Sequence, residues 1–501
     1  MNSKIILSQN INIDKQYVNV LSYSEQQMLQ LCQKNQVVSA DNYSFLRPTG
    51  TILVGFTYAQ CLQANYMAFQ NPNYSNKWFF AFIDDIIYKS DKSCEIKFTI
   101  DAWSTWFSYW NKKDCYILRQ HVNDDIVGNY TQPEGLEIGE YVCDNMIQTR
   151  EMDDLVAVLQ VSKSTTGVDI LATNYGGIWS AGGAYICESI NQLVNIIQAY
   201  GSGRNDAIIQ VYLIPKCFVA NTDSDLRYEG QSSPLWIQKV INKPTSLNGY
   251  TPKNKKLLTF PYCYLNVSNN NGITNSYMYE LFNQDNAIFN IKGVPSVGGS
   301  IKCIPYQYKI GGENNNEDEG IMAGKYPTLS WSEDAYTNWL TQNAVNLGLG
   351  LASNLISIAG GIASGNGIGL ITGSMGIASQ IGQVYEHSLV PYTAKGNTNG
   401  GDINVCSSSQ GFYFYQMSIR QEYAKIIDDY FTRYGYKINR ITTPNIVGRP
   451  NWNYVEIGSS EDIGYGDVPS KYMNIINDAC RRGVTIWHSH ENIGNYSLNN
   501  Q

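Results

Sequence analysis

From Ala335 to Tyr385 the chain carries no Asp, Glu, Lys or Arg, and inside that window runs the Gly-rich stretch LGLGLASNLISIAGGIASGNGIGLITGSMGIASQIGQVY. Such a run must be buried in a core, lie in a bilayer, or be covered by its own neighbours. About 20 apolar helical residues cross the hydrocarbon of a membrane. Burying one exposed Leu or Ile is worth roughly 1.5–3 kcal/mol, so Leu347, Leu349, Leu351, Leu355, Ile356, Ile358, Ile362, Ile368, Leu370, Ile371, Ile377 and Ile381 all require cover.

Three readings compete. A pair of core helices, Trp339 to Ala359 and Ile368 to Val384, is disfavoured by the internal glycines, each of which costs a helix about 0.5–1 kcal/mol relative to Ala. A permanent transmembrane hairpin has a small-residue interface in Gly369-x-x-x-Gly373. Asn343, Asn346, Asn354, Asn366, Gln380 and Gln383 interrupt its apolar surface, however, and no positive-inside asymmetry accompanies it. The third reading is a conditional segment, sheltered until released, with a backbone that glycine leaves uncommitted. Its expected hinges are Gly360, Gly361, Gly365 and Gly367, and its shelter requires an oligomer in which copies cover one another.

The rest of the chain is polar without being highly charged. Charged residues make up 16% of the 501, against about 25% in typical globular proteins. Tyr occurs 37 times, and abundant Tyr and Asn suit strands and turns better than helices. A net charge of −8 and a pI near 5.2 argue against a basic nucleic-acid-binding face, but suit a conduit that must not hold DNA. The eleven cysteines are scattered and never in CxxC spacing, so they are expected to be reduced and to pack as small apolar groups in strand-like runs. The amino terminus lacks a signal-peptide pattern, which points to assembly in a cytoplasm.

Five segments are expected: 1–154, β-rich; 155–254, α+β; 255–334, β-rich and ending in a polar acidic loop; 335–400, the chargeless stretch and its flexible return; and 401–501, a carboxyl-terminal domain. In the first, Trp78 to Tyr88 and Cys94 to Asp101 read as a hairpin, because Ile96, Phe98 and Ile100 alternate with polar residues. Trp103, Trp106, Phe107 and Trp110 then follow a helical period. In the second, strands at Leu155 to Val161 and Ala207 to Ile214 flank a helix with a Ser189 and Gln192 capping box, stopped by Gly201. Ala220 to Asn254 reads as a long loop, and strands resume at Lys256 to Val267 and Ala287 to Ile291. Arg420 to Tyr434 is the clearest helix, with Tyr423, Ile426, Ile427, Tyr430, Phe431 and Tyr434 as its buried stripe and Gly435 as its stop.

Catalytic and metal signals are sparse. Glu313, Glu317, Asp318 and Glu319 lack EF-hand spacing, and His488-Ser489-His490-Glu491 lacks a third ligand at motif spacing, so no metal and no cofactor are expected. His121 reads as a hydrogen-bonded structural histidine. Asp84 and Asp85, adjacent on a strand, point to opposite faces and cannot flank one bond. Asp428 and Asp429 read as the solvated side of their helix. No GxSxG, HExxH or GxxxxGK[ST] is present, and the chain is read as a non-enzyme.

Three blocks carry a resemblance: WFFAFIDDIIYKSDKSCEIKFTIDAWSTWF, RQHVNDDIVGNYTQPEGLEIGEYV (Arg119 to Val142), and SIRQEYAKIIDDYFTRYGYKINRITTPNIVGRPNWNYV (Ser418 to Val455) with GVTIWH (Gly483 to His488). In content and order the chain resembles the tail knob, or distal tail tube, proteins of short-tailed phages of the phi29 type. The resemblance implies a mainly β, multidomain tail-tube protomer with α+β insertions, whose two chain ends together build the tube-forming part. It further implies a homo-hexameric ring or tube at the distal end of the virion tail, partnered by other tail proteins. In that family a long hydrophobic loop plugs the lumen and then enters the host membrane lipid as a pore for the genomic DNA, which passes without sequence-specific binding. Asn343 to Tyr385 corresponds to that loop, and protonation of the bordering Glu333, Asp334 and Glu386 is one conceivable trigger. A peptidoglycan hydrolase, a pore-forming toxin and a tail scaffold without membrane activity are the alternatives.

Overall fold

The computed structural model describes residues 3–46, 50–70, 75–149 and 411–501; between 155 and 330 it describes 155–170, 172–175, 178–187, 192, 195–196, 199–200, 207–215, 217, 226–227, 236–269, 273–294, 300–309, 320–322 and 328–330. Two compact units emerge: 1–139 with 249–262 and 420–501, and 140–248 with 263–419. The chain leaves and re-enters the first unit. That unit gathers both ends of the chain.

In the first unit, alternating apolar residues build a seven-stranded sheet from β1 (Lys4–Ser8), β3 (Gln36–Ala40), β4 (Ser44–Leu46), β5 (Thr51–Val54), β6 (Tyr66–Gln70), β7 (Trp78–Ser90) and β8 (Ser93–Ile100), in the order β3-β1-β6-β7-β8-β5-β4. One face packs Ile5, Leu7, Ile52, Val54, Met67, Phe69, Ala81 and Ile96 into a core. The expected hairpin is β7 and β8, with Ile83 opposite Phe98 and a bulge between Ile83 and Asp85. Strand β2 (Asn19–Leu21) leads directly into α1 (Glu25–Lys34), where Ser24 and Gln27 close a capping box and Met28, Leu31 and Cys32 face inward. A short helix α2 (Tyr58–Cys61) is capped in the same way by Thr57 and Gln60.

The aromatic cluster departs from its expected period. Helix α3 (Ala102–Trp106) is started by Asp101, whose side chain accepts from the Ser104 amide, and passes into a 3₁₀ turn at Phe107–Tyr109. Trp110 therefore opens β9 (Trp110–Lys112) instead of completing a helical stripe. Its ring still meets Trp103 edge-on at 6.2 Å: the cluster holds without the helix, because rings of this size reach across the turn. Strand β10 (Cys115–Gln120) follows.

The second unit contains β11 (Tyr141–Gln148), β12 (Leu155–Val161), β13 (Ala172–Tyr175), β14 (Ile178–Ala181), β15 (Gly183–Cys187), β16 (Ile208–Pro215), β17 (Leu226–Arg227), β18 (Trp236–Asn242), β19 (Cys263–Ser268), β20 (Thr274–Tyr277), β21 (Asn286–Val294), β22 (Ser300–Tyr306), β23 (Ile321–Met322), β24 (Thr328–Ser330) and β25 (Tyr413–Ile419). Its larger sheets run β17-β15-β12-β16-β24, β11-β25-β19-β20 and β18-β21-β22-β23. Strand β18 corrects the long-loop expectation for Ala220 to Asn254: Trp236 to Asn242 pairs with Lys292 to Asn286, and Pro234 and Pro244 bracket the strand without interrupting it. The expected strand from Lys256 is also shorter. A 3₁₀ turn occupies Lys255–Leu258, and β19 begins only beyond Pro261, which has no amide proton for a ladder. The capping-box residue Ser189, the stop Gly201 and the acidic residues Glu313, Glu317, Asp318 and Glu319 lie outside the described residues.

Back in the first unit, α4 (Gln421–Tyr434) ends at Gly435, whose φ is +67°. A Cβ there would collide with the backbone of Gln120 and His121, so glycine serves both the left-handed turn and the close approach to β10. The buried stripe is rotated from its expected position: Ala424, Ile427, Asp428, Phe431 and Thr432 are buried, while Ile426 is 67% exposed. Strands β26 (Tyr436–Thr442), β27 (Trp452–Ile457) and β29 (Val484–Trp487) join β2 and β10 in a five-stranded sheet, order β2-β29-β27-β10-β26. Strand β28 (Gly464–Gly466) pairs with β9, and α5 (Ser470–Arg482) buries Ile476, Ala479 and Cys480.

Candidate functional site

The twelve Leu and Ile residues expected to act at a membrane, and the hinges Gly360, Gly361, Gly365 and Gly367, all lie outside the described residues. The strands on either side of them are described. Before them, β24 pairs with β16, Ser330 opposite Gln210. After them, β25 runs between β11 and β19. The chain is firmly held where its described residues resume: the Phe412 amide donates to Thr149 Oγ1 at 2.8 Å, and the Thr149 amide donates to the Phe412 carbonyl at 3.1 Å. Phe412 and Phe414 are fully buried, and Phe414 meets Phe289 at 5.1 Å between ring centroids. A Cβ on Gly411 would sit 2.9 Å from Thr149 Oγ1, so the chain enters the sheet through a gap sized for glycine. Both ends of the stretch 331–410 thus belong to the second unit, on strands of two different sheets. Among the described residues no helix is long and apolar enough to cross a membrane.

Several of the described side chains weighed for catalysis or metal binding have structural partners. His121 is 2% exposed. Its Nδ1 accepts from the Tyr454 amide at 2.9 Å and its Nε2 meets the Thr432 carbonyl at 3.1 Å. Burial first, then the neighbouring Arg449 guanidinium, lowers its pKa to about 3, so it is a neutral spacer between β10, α4 and β27. His490 Nε2 accepts from the Asn12 amide at 3.2 Å, and Glu491 pairs with Lys34 at 2.8 Å. His488 contacts Ser22 Oγ at 2.8 Å and Asn453 Oδ1 at 3.0 Å. Beyond Trp487 the strand gives way to a short 3₁₀ turn at His490–Asn492. Among the described residues no three His, Cys, Asp or Glu side chains come together as a metal site would need. Asp84 takes hydrogen bonds from Lys15 and Thr99, and Asp85 Oδ1 accepts from the next-door Ile86 amide.

Asp428 corrects its sequence reading. It is 1% exposed and its carboxylate accepts from the Tyr250 hydroxyl at 2.7 Å, the Lys253 amide at 2.7 Å, the Asn254 amide at 2.9 Å and Asn254 Nδ2 at 2.8 Å. A buried carboxylate needs such a set of donors to offset its lost hydration; Asp429, one residue on, is exposed. A second buried centre went unseen in the sequence. Glu134 accepts from Arg119 Nη2 at 2.5 Å, from Lys256 Nζ, and from the Lys437 amide at 2.9 Å, and its side chain has no exposure. Burial lowers the Lys256 pKa against the raising effect of Glu134. These two centres pin the irregular stretch before β11 and the Tyr250 to Lys256 stretch onto α4 and β26, all within the first unit. They are anchors of the fold, because every oxygen is engaged by protein.

Comparison with known proteins gives this architecture a class. The family model described as Caudoviral major tail protein N-terminus matches residues 1–111. The model described as Bacillus phage phi29, Tail knob protein gp9, C-terminal domain matches residues 225–501, more than half of the chain. Tail knob protein gp9 of Bacillus phage phi29 is 24% identical over 527 aligned positions, covering 87% of each chain; that of Bacillus phage PZA is 23% identical with the same coverage. The structure of the bacteriophage C1 tail knob protein gp12 superposes with a TM-score of 0.64 at 17% identity, covering 100% of this chain and 99% of that one, and shares the fold. A mostly β protein with these matches is a structural component of a phage virion tail. The chain belongs to the phi29 tail knob protein gp9 family.

Proposed function

We propose that this tail knob protein forms a homo-hexameric distal tail tube, that its chargeless stretch Asn343 to Tyr385 plugs the lumen, and that the stretch then enters host membrane lipid as a pore through which the genome passes. The observation that carries the reading is the composition of 343–385: no charge, many glycines, and a dozen Leu and Ile residues. Apolar side chains in that number need cover in both states of the particle. Neighbouring copies in a ring supply it before infection, and lipid supplies it afterwards. Glycine lets one backbone serve both environments.

The net charge of −8 supports a channel that repels phosphate, so that DNA moves through without binding. Anchoring by strands at both ends, β24 before and β25 after, supports a stretch that changes surroundings without detaching from its unit. The test joins two measurements on the full chain and on a variant lacking 343–385: electron microscopy of the assembled particle, and leakage of dye from liposomes. A ring for both proteins, with leakage only for the full chain, supports the reading. Equal leakage overturns the membrane role and leaves a tail scaffold; monomers alone overturn the ring.

A further inference from the structure

Ser22, His488 and Asn453 stand in a relay that nothing in the tail-tube function uses. Ser22 follows the last residue of β2, and its amide donates to the Trp487 carbonyl at 2.9 Å. His488 follows the last residue of β29, the parallel neighbour of β2, so the parallel register places the two side chains together although they are 466 residues apart. Ser22 Oγ lies 2.8 Å from His488 Nδ1 and 3.3 Å from the Trp487 carbonyl oxygen.

The proton positions follow from the surroundings. Asn453 is fully buried. Its Oδ1 accepts from the Arg449 amide at 3.1 Å and its Nδ2 donates to the Asn445 carbonyl at 3.0 Å, and two backbone groups thereby fix which end of the amide is oxygen. That oxygen faces His488 Nε2 at 3.0 Å, so Nε2 carries the proton and Nδ1 presents a lone pair to the serine. Burial also lowers the His488 pKa, which keeps the ring a base near neutral pH. Ser22 and His488 are both half-buried. Ser24, two residues beyond Ser22, caps α1, so the serine sits on a strand-to-helix turn.

We infer that Ser22 is an activated nucleophile toward small carboxylic esters, with His488 as its base and Asn453 as the residue that positions the base. A nucleophile within about 2.6–3.2 Å of a base that a third group orients is the general arrangement for covalent acyl transfer. Ser22 Oγ bonds to the carbonyl carbon while its proton passes to His488 Nδ1. The ester C–O bond breaks, and the leaving alkoxide takes that proton and departs as the alcohol. Water then adds to the acyl carbon, giving a proton to Nδ1; Oγ leaves, recovers the proton, and the acid is released. The cycle is redox-neutral and needs only water.

The experiment treats the full chain with a fluorophosphonate probe and locates the adduct by peptide mass spectrometry, with p-nitrophenyl acetate hydrolysis as a second readout. The expected result is a single adduct on Ser22, absent in Ser22→Ala and about 100-fold slower in His488→Gln, the usual reach of a general base. Asn453→Asp, which still accepts from Nε2, retains labelling that Asn453→Ala loses, whereas a merely structural Asn453 would show the same labelling in both folded variants. No adduct on Ser22 in the natural chain, labelling spread evenly over many serines, or labelling unchanged in folded His488→Gln overturns the inference. If His488→Gln fails to fold, the natural chain and Ser22→Ala decide the matter. Assembly and liposome leakage are read separately and do not depend on this serine.

Discussion

The carboxylate of Asp428 and the side-chain amide of Asn254 meet at 2.8 Å inside the first unit, although 174 residues separate them in the chain. The contact joins a helix near one end of the sequence to a segment that interrupts the second unit. Removing the carboxylate takes the acceptor from the Tyr250 hydroxyl and two backbone amides, while Asn254 Nδ2 keeps the Thr432 hydroxyl and the Asp428 carbonyl.

Asp428→Ala is therefore expected to lower the unfolding free energy by about 3 kcal/mol, the scale for a charged acceptor with several buried donors. Asp429→Ala, at an exposed position, is expected to change it by less than about 0.5 kcal/mol. Urea denaturation of the two variants checks the pair; equal effects would refute the anchor.

Glu134 is held by two cations that have little exposure of their own. Glu134→Ala leaves Arg119 and Lys256 unpaired and is expected to cost about 3–5 kcal/mol. Combining it with Lys256→Met is expected to cost less than the sum of the two single changes, because one stranded charge is removed as well. A double-mutant cycle by denaturation measures the difference; additivity would show that the two groups do not interact.

His121 gives the first unit a signed dependence on pH. Its folded pKa is lowered to about 3 from 6.5, so below about pH 6.5 the unfolded chain takes up a proton that the folded chain refuses. The stability associated with this ring is fully present above pH 6.5 and is lost progressively as pH falls toward 3, at up to about 1.4 kcal/mol per pH unit. Burial moves His488 and His490 in the same direction. In His121→Gln the slope of stability against pH across this window is expected to be shallower than in the natural chain, and an unchanged slope would contradict the assignment.

Among the described residues the cysteines are free thiols, and burial raises the pKa of Cys32 and Cys187 to about 12. A disulfide reagent added to folded protein should modify the exposed Cys143 promptly. Cys32, Cys61, Cys94, Cys115, Cys187, Cys263, Cys303 and Cys480, all buried, should react only after denaturation. Disulfide-linked peptides in a non-reducing digest would refute the reduced state.

What the sequence disclosed follows the range of the forces involved. The β7–β8 hairpin was legible because alternation and a short turn are local, and the end of α4 was legible because Gly435 stops it. The phase of α4 was not: Ile426 points outward and Asp428 inward, since Asn254 and Tyr250 supply donors that no local pattern announces. Strand β18 hid between two prolines that read as loop. The chargeless stretch declared itself through composition alone. The meeting of Ser22 with His488, by contrast, depends on parallel pairing of β2 with β29, strands from opposite ends of the chain.

Residues 343–385 are proposed to carry a membrane activity distinct from assembly. Dye release from liposomes, measured side by side for the full chain and for the variant lacking 343–385, with rings of both verified by electron microscopy, tests it most directly. Release by the full chain and none above background by the deletion variant is the expected result. Undiminished release from assembled rings of the deletion variant would contradict it.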